Sequence, residues 1–202
     1  MNYKGQAFQD KWVCEFFNFK TNGYFLDIGA MDGITSSNTY ELEHTYKWNG
    51  LCVEPYYLHW PILKLCRSVP IIEKGIYNKD GFINFNAQFS NITSNAGFSI
   101  PTITFKTLVK ENKVPNIIDY ISLDVEGTEY EALSEFPFDT HVAILWTIEH
   151  NLYLHNDPTL KNKIKEIMFA NDYVIGVENV FCADSNNGPF EDWFIHKNYY
   201  NK

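Results

Sequence analysis

Residues 24–33, Tyr24-Phe25-Leu26-Asp27-Ile28-Gly29-Ala30-Met31-Asp32-Gly33, decide how the rest of the chain is read. An apolar, β-prone run ends near Asp27 and gives way to a turn carrying Gly29 and Gly33. Glycine lets a backbone turn tightly and lie close against a ligand. A helix is expected just beyond, over residues 38–48, with Ser36 or Ser37 as its cap, and its first turn offers free N–H groups. The spacing is G-x-x-x-G rather than the dinucleotide pattern G-x-G-x-x-G. Asp27 beside the turn suits a cationic amino-acid ligand better than a pyrophosphate.

Outward from this stretch, apolar runs alternate with helical ones. Strands are expected at residues 50–54, 69–77, 117–125, 142–149, 173–178 and 193–195. Helices are expected at 59–66, with Pro61 in the first turn, and at 105–112, 129–136 and 159–170, the last capped by Asp157 or Thr159. Residues 81–101, rich in Asn, Ser and Phe, read as an irregular or hairpin insertion. Strand–helix alternation implies parallel βαβ units, and the short final connection, a turn at residues 186–189, implies an antiparallel pair at one edge. In an open α/β sheet ligands bind beyond the carboxyl ends of the strands. Asp27, Glu54, Asp124 and Glu149 each end a strand run, which puts them on one rim.

The acids differ in what they suit. Glu54, ending the second strand 20–25 residues beyond the loop, is placed to accept two ribose hydroxyls. Asp124 and Glu126 sit where a strand yields to Gly127, and Glu129 suits the N-terminus of the next helix. Glu149-His150-Asn151 brings acid, imidazole and amide together at a strand end, a set suited to moving protons.

The chain has 202 residues, which fits one domain over residues 1–202. Its formal charge of −9 repels phosphate backbones, so no nucleic-acid partner is expected. None of the four cysteines stands in a C-x-x-C pair, which argues against a zinc or redox motif and for a reducing, cytoplasmic setting. The first residues carry no apolar signal region, and no run approaches the ~20 apolar residues of a membrane span, so no membrane partner is expected. The oligomeric state is open at this level.

Taken in order, these motifs resemble the FkbM family of S-adenosylmethionine-dependent methyltransferases. The resemblance starts at Gly5-Gln6-Ala7-Phe8-Gln9-Asp10 and runs through residues 23–30, Ser37-Asn38-Thr39 and Val53-Glu54-Pro55. It is most specific over residues 119–129, with their D-x-E-G-x-E segment, and ends with Ile148-Glu149-His150-Asn151 and, more loosely, Asp192-Trp193-Phe194. Met31 departs from it, since the family usually has a polar residue there.

The resemblance implies an α/β, Rossmann-like class I methyltransferase fold: a seven-stranded, mostly parallel sheet with an antiparallel last strand and helices on both faces. It implies S-adenosylmethionine held by the loop from Asp27 to Gly33, with Gly29, Ala30 and Asp32, at its methionine part, by Glu54 at the ribose, and by residues near Gly75, Ile76 and Tyr77 around the adenine, with Asn38, Pro55 and Asp124 as further binding residues. It also implies a small-molecule or glycan acceptor, methylated on a hydroxyl of a sugar or small metabolite.

For catalysis the expected residues are Asp124, Glu149 and His150: His150 or Asp124 takes the acceptor's proton and Glu149 orients. A second, less favoured reading has the same three hold a divalent metal such as Mg²⁺. The acceptor side is expected to draw on residues 81–101 and 151–158, where Tyr153, His155, Phe89 and Phe98 read first as packing and second as pocket wall. Two rivals are a nucleotide- or NAD-binding Rossmann enzyme and a non-catalytic cofactor-binding interaction module.

Overall fold

The computed structural model describes residues 2–86, 91–92, 98–182, 185 and 188–200. In chain order the elements are α1 (Gln9–Phe16), β1 (Tyr24–Ile28), α2 (Tyr40–His44), β2 (Asn49–Val53), α3 (Trp60–Cys66), β3 (Ile71–Ile72), β4 (Gly75–Ile76), β5 (Gly81–Asn86), β6 (Asn91–Ile92), β7 (Phe98–Ile103), α4 (Phe105–Glu111), β8 (Ile117–Leu123), α5 (Glu129–Leu133), β9 (Val142–Glu149), α6 (Leu152–His155), α7 (Thr159–Ala170), β10 (Tyr173–Val180) and β11 (Glu191–His196). The main sheet has seven strands in the order β10-β11-β9-β8-β1-β2-β3. From β9 to β3 the pairs are parallel, and β11 runs antiparallel between β9 and β10. This is the expected Rossmann-like sheet.

Both faces of the sheet are covered, which is why its strands read as continuous apolar runs rather than alternating ones. Successive side chains still point to opposite faces. Leu26, Ile28, Leu51, Val53, Ile121 and Leu123 pack under α4, α5 and α7, where Leu108, Leu133 and Ile164 close the core. Phe25, Cys52 and Tyr120 face the other way, against Val13 of α1, Leu42 of α2 and Leu63 of α3.

Two expectations change. The run at residues 69–77 is not one strand: β3 pairs with β2, the chain crosses over at Glu73-Lys74, and β4 joins a second, four-stranded sheet of order β4-β7-β5-β6. Within the insertion expected at residues 81–101, the described residues form β5, β6 and most of β7, with β5 antiparallel to both others, Ile83 opposite Ile100 and Phe85 opposite Phe98; Phe89 lies outside the described residues. The expected helix at 38–48 is only the single turn of α2, and Ser37 Oγ accepts from the backbone N–H of Tyr40 at its start. Lys47, in the left-handed region, turns the chain toward β2.

Strand register builds the rim. Ile28 pairs with Val53 on one side and Leu123 on the other, and Leu123 pairs with Ile148. One residue further along stand Gly29, Glu54, Asp124 and Glu149. Gly29 (φ +91°) lies so close to β8 that a Cβ would sit 1.7 Å from the Asp124 carbonyl oxygen. Only glycine fits there.

Beneath the loop after β1 lies Arg67, the only arginine in the chain. Its side chain is fully buried. Nε donates to Glu43 Oε2 from α2, Nη1 lies 3.4 Å from Asp27 Oδ2, Nη2 donates to Thr39 Oγ1, and the guanidinium sits over the Phe25 ring. One cation thus ties β1, α2 and the end of α3 together. Burial alone would raise Glu43, but hydrogen bonds from Ser68 and Arg67 outweigh it and hold the carboxyl below its usual range. Removing one partner of such a pair strands the others without compensation. We expect Arg67→Met to cost about 3–5 kcal/mol of unfolding free energy, measured by urea denaturation at neutral pH; a loss under about 1 kcal/mol, the range of surface pairs, contradicts this role.

Candidate functional site

Two clefts open at the carboxyl rim and share a wall. The first, about 630 Å³, is mainly apolar and is lined by Val53, Glu54, Pro55, Gly75, Ile76 and Phe85, among others. The second, about 780 Å³, is polar and takes in Asp27, Ala30, Asn38, Glu149, Asn151 and Tyr153. Gly29, Met31, Asp124 and Glu126 border both.

Most of the cofactor residues expected from the sequence line one of these clefts. Glu54 is buried at the base of the first, where Oε2 accepts from Met31 N (2.8 Å) and Oε1 from Tyr56 N (2.7 Å). Oε2 keeps a lone pair for a further donor. His59 Nδ1 stands 3.3 Å from Oε1, and the Glu54 carboxylate beside it raises its pKa. Phe85 reaches the first cleft from the second sheet; its position in a segment of unclear pattern gave no signal of this. Asn38 Nδ2 donates to Ser122 Oγ (2.9 Å) at the floor of the second cleft.

Asp32 and Gly33 do not line either cleft. The Asp32 carboxylate turns back on its own loop, accepting from Ile34 N, Thr35 N and Thr35 Oγ1. These bonds outweigh burial and lower its pKa. At Gly33 (φ +79°) a Cβ would meet Leu63 Cδ1 at 2.6 Å and Arg67 Cγ at 2.9 Å, so this glycine lets the loop settle on α3. Both residues shape the loop from below. Asp27 does border the polar cleft, but its Oδ2 is already engaged by Thr39 Oγ1 and Arg67. Burial raises its pKa against the pull of those partners.

Three carboxylates gather where the clefts meet. Asp124, Glu126 and Glu149 each offer an oxygen within 4.8 Å of the other two. Glu126 entered the sequence reading only as part of a motif. It reaches this point because its backbone is left-handed (φ 58°) and Gly127 (φ +104°) continues the turn. Glu129, buried at the start of α5, holds that turn by accepting from Val125 N and Gly127 N. Burial, then the charges of Asp27 and Glu54, pushes Asp124 up to about 6. Burial and Asp124 push Glu126 up to about 7. Burial and the charges of Asp124, Glu126 and Glu129 lift Glu149 well above the carboxylate range. Asn151 Nδ2 donates to Glu149 Oε2 (2.7 Å) and Glu126 Oε2 (3.4 Å), bridging two of the three. An oxygen-rich trio of this kind suits a hard divalent cation.

His150 is placed elsewhere. Neighbours along an extended chain point to opposite faces, so Glu149 enters the polar cleft and His150 turns behind it. The imidazole lines neither cleft; Nδ1 accepts from Leu152 N (3.2 Å) and Nε2 lies 3.7 Å from Asp192 Oδ1. This corrects the expectation that His150 handles a proton at the rim, and with it the metal set that included it. Tyr153 lines the polar cleft, and Phe98 packs against Tyr56, Tyr57 and Phe85. The His155 side chain lies outside the described residues.

No curated protein sequence matches this chain significantly. The family model Methyltransferase FkbM domain matches residues 27–175, well over half the chain. Among solved structures, a methyltransferase FkbM from Methylobacillus flagellatus superposes with a TM-score of 0.57 at 15% identity, over 86% of this chain and 43% of that one. This chain therefore spans under half the length of that protein. The fibrillarin pre-rRNA processing protein of Methanococcus jannaschii gives 0.54 at 16% identity, over 88% and 68% of the two chains. A putative rRNA-methylase from Clostridium thermocellum gives 0.51 at 9% identity, over 96% and 97%.

At these identities the likeness is one of fold. It nevertheless overturns the exclusion of nucleic acid drawn from net charge, since two of these three similar structures are of proteins described by work on ribosomal RNA. Whole-chain charge does not report the charge of a local groove. Among the described residues, no helix is long and apolar enough to cross a membrane. The match across the β1 loop, the Glu54 strand end and the Asp124–Glu129 segment makes this chain a member of the FkbM family of S-adenosylmethionine-dependent methyltransferases.

Proposed function

We propose that this protein methylates a hydroxyl of a sugar or small metabolite, with S-adenosylmethionine spanning the two joined clefts. The observation that carries the reading is the shared wall: Gly29, Met31, Asp124 and Glu126 border both a mainly apolar cleft and a polar cleft lined by acids and amides. The residues fit the cofactor. Gly29 lets the loop backbone lie against Asp124 at the wall the clefts share, the spare lone pair of Glu54 Oε2 suits a ribose hydroxyl, and Pro55, Gly75, Ile76 and Phe85 suit an adenine. Asp27, Ala30 and Asn38 suit the methionine end. The four free thiols support a reducing, cytoplasmic setting.

When bound, the cofactor supplies an electrophilic methyl and its own leaving group. What remains for the protein is alignment, exclusion of water and acceptance of the hydroxyl proton. Alignment alone is worth about 7–11 kcal/mol of a barrier. Asp124 borders both clefts and takes the proton, while Glu149, held by Asn151, orients the acceptor. A base whose pKa lies near the working pH is the effective one, and crowding of like charges in a buried place raises these carboxylates toward it. The second reading is a divalent ion on Asp124, Glu126 and Glu149, favoured by the mutual closeness of their oxygens; it would lower the hydroxyl's pKa instead. Turnover that survives thorough chelation excludes it.

The acceptor class is tested by incubating the purified protein with methyl-labelled cofactor and a panel of sugars, glycosides, small hydroxylated metabolites and RNA. We expect label as an O-methyl ether on a member of the small-hydroxyl group; label on RNA alone overturns that part of the reading. For the cofactor, Glu54→Gln should weaken binding about 10–100-fold, the value of a charged hydrogen bond or two, by calorimetry; unchanged affinity removes Glu54 from the site. For the base, the rate follows the ionised fraction. It should be low at acid pH, rise through about 6 to 7 as Asp124 and Glu126 lose their protons, and level off above. Asp124→Asn should cost about 10²–10⁴-fold in turnover at saturating cofactor and flatten that rise, and an unchanged profile sinks the assignment.

A further inference from the structure

His150 and Asp192 form a buried pair that the chemistry above does not use. His150 is 2% exposed and Asp192 1%. His150 Nδ1 accepts from the backbone N–H of Leu152, so that nitrogen is bare and the ring proton sits on Nε2. Nε2 faces Asp192 Oδ1 at 3.7 Å. Asp192 is itself anchored: Oδ1 accepts from Asn179 N (2.8 Å) and lies 3.4 Å from Lys161 Nζ, while Oδ2 lies 3.9 Å from Lys165 Nζ. The imidazole is therefore backed by a charged cluster that reaches into α7 and β10.

In front of the ring lies the turn that carries Asn151. Its backbone is left-handed (φ 47°), a conformation asparagine tolerates but does not adopt without support. Two backbone bonds, His150 N and Asn151 N to the Phe190 carbonyl, tie the turn to the start of β11. The bond from Leu152 N to the ring fixes the next residue. Together they aim the Asn151 amide at Glu149 and Glu126.

We propose that His150 is a positioning residue: through the Leu152 N–H it sets the Asn151 turn, and through Asn151 it holds Glu149 and Glu126 in the arrangement that receives the acceptor. This deepens the methyl-transfer reading and rests on it for its kinetic consequence, though not for its structural one.

Three variants separate the two ring nitrogens. His150→Asn keeps an acceptor near the place of Nδ1, His150→Gln places a donor near that of Nε2, and His150→Ala keeps neither. In ¹⁵N-labelled wild-type protein the His150 ring should show a bare Nδ1 and a protonated Nε2. The Asn151 side-chain NH₂ signals should be those of a bonded, slowly exchanging amide in the wild type and in His150→Asn, and solvent-like in His150→Gln and His150→Ala. With the acceptor found in the panel, kcat/KM should fall about 10²-fold in His150→Ala, as for displaced catalytic groups, recover for the most part in His150→Asn, and leave cofactor affinity unchanged. A protonated Nδ1 in the wild type overturns the proposal. So do bonded Asn151 signals in His150→Gln, or their loss in a folded His150→Asn; both readings stand even if the alanine variant does not fold. A wild type that methylates nothing in the panel would sink the acceptor reading while leaving the ring and amide signals to decide the positioning role.

Discussion

One guanidinium holds the floor of the site. Arg67 lies buried between Asp27 and Glu43, under the loop that begins at Gly29. Burying three charged groups is expensive unless each is paired and hydrogen-bonded. Here the bonds to Thr39, Ser68 and the Gly33 carbonyl complete the set. The loop can therefore carry left-handed residues and a glycine pressed against β8 without collapsing. Everything the rim presents to a ligand rests on that layer.

Above it the electrostatics reverse. Parallel register lines up the ends of four adjacent strands, and the chain puts acids at most of them. Among the described residues, no Lys or Arg lies within ion-pair distance of Asp124, Glu126 or Glu149. Crowding and burial thus leave proton-hungry carboxylates at the junction of two clefts. This suits a sulfonium cofactor on one side and an acceptor hydroxyl on the other. The same arrangement explains why an imidazole is not needed at the front and is used behind.

The sheet was legible in the sequence because both of its faces are buried. Strand β9 and helix α7 fall at their expected bounds, and the acids at the strand ends follow from parallel register alone. Other features were set by long-range partners. Helix α1 buries the polar Gln9 and Asp10 along with Val13 and Cys14, pairing Gln9 with Glu191 across the fold. The crossover at Glu73-Lys74 depends on a second sheet that forms only when β5 and β7 pair. Asp32 and Gly33 shape the loop without lining either cleft, since sequence spacing does not say which side of a turn faces the rim. The direction of His150 was a matter of strand parity and could have been read from Glu149. Arg67 carried a signal that was there to be read: a chain rich in lysine keeps a single arginine, and its planar fork suits buried carboxylates as lysine does not.

The most direct test of the account is a crystal structure with S-adenosylmethionine bound. The account predicts the adenine in the cleft of Ile76 and Phe85, the ribose hydroxyls on Glu54, and the methyl carbon pointing past Gly29 toward Asp124 and Glu149. A cofactor whose methyl points away from those carboxylates, or whose adenine lies outside that cleft, would contradict it.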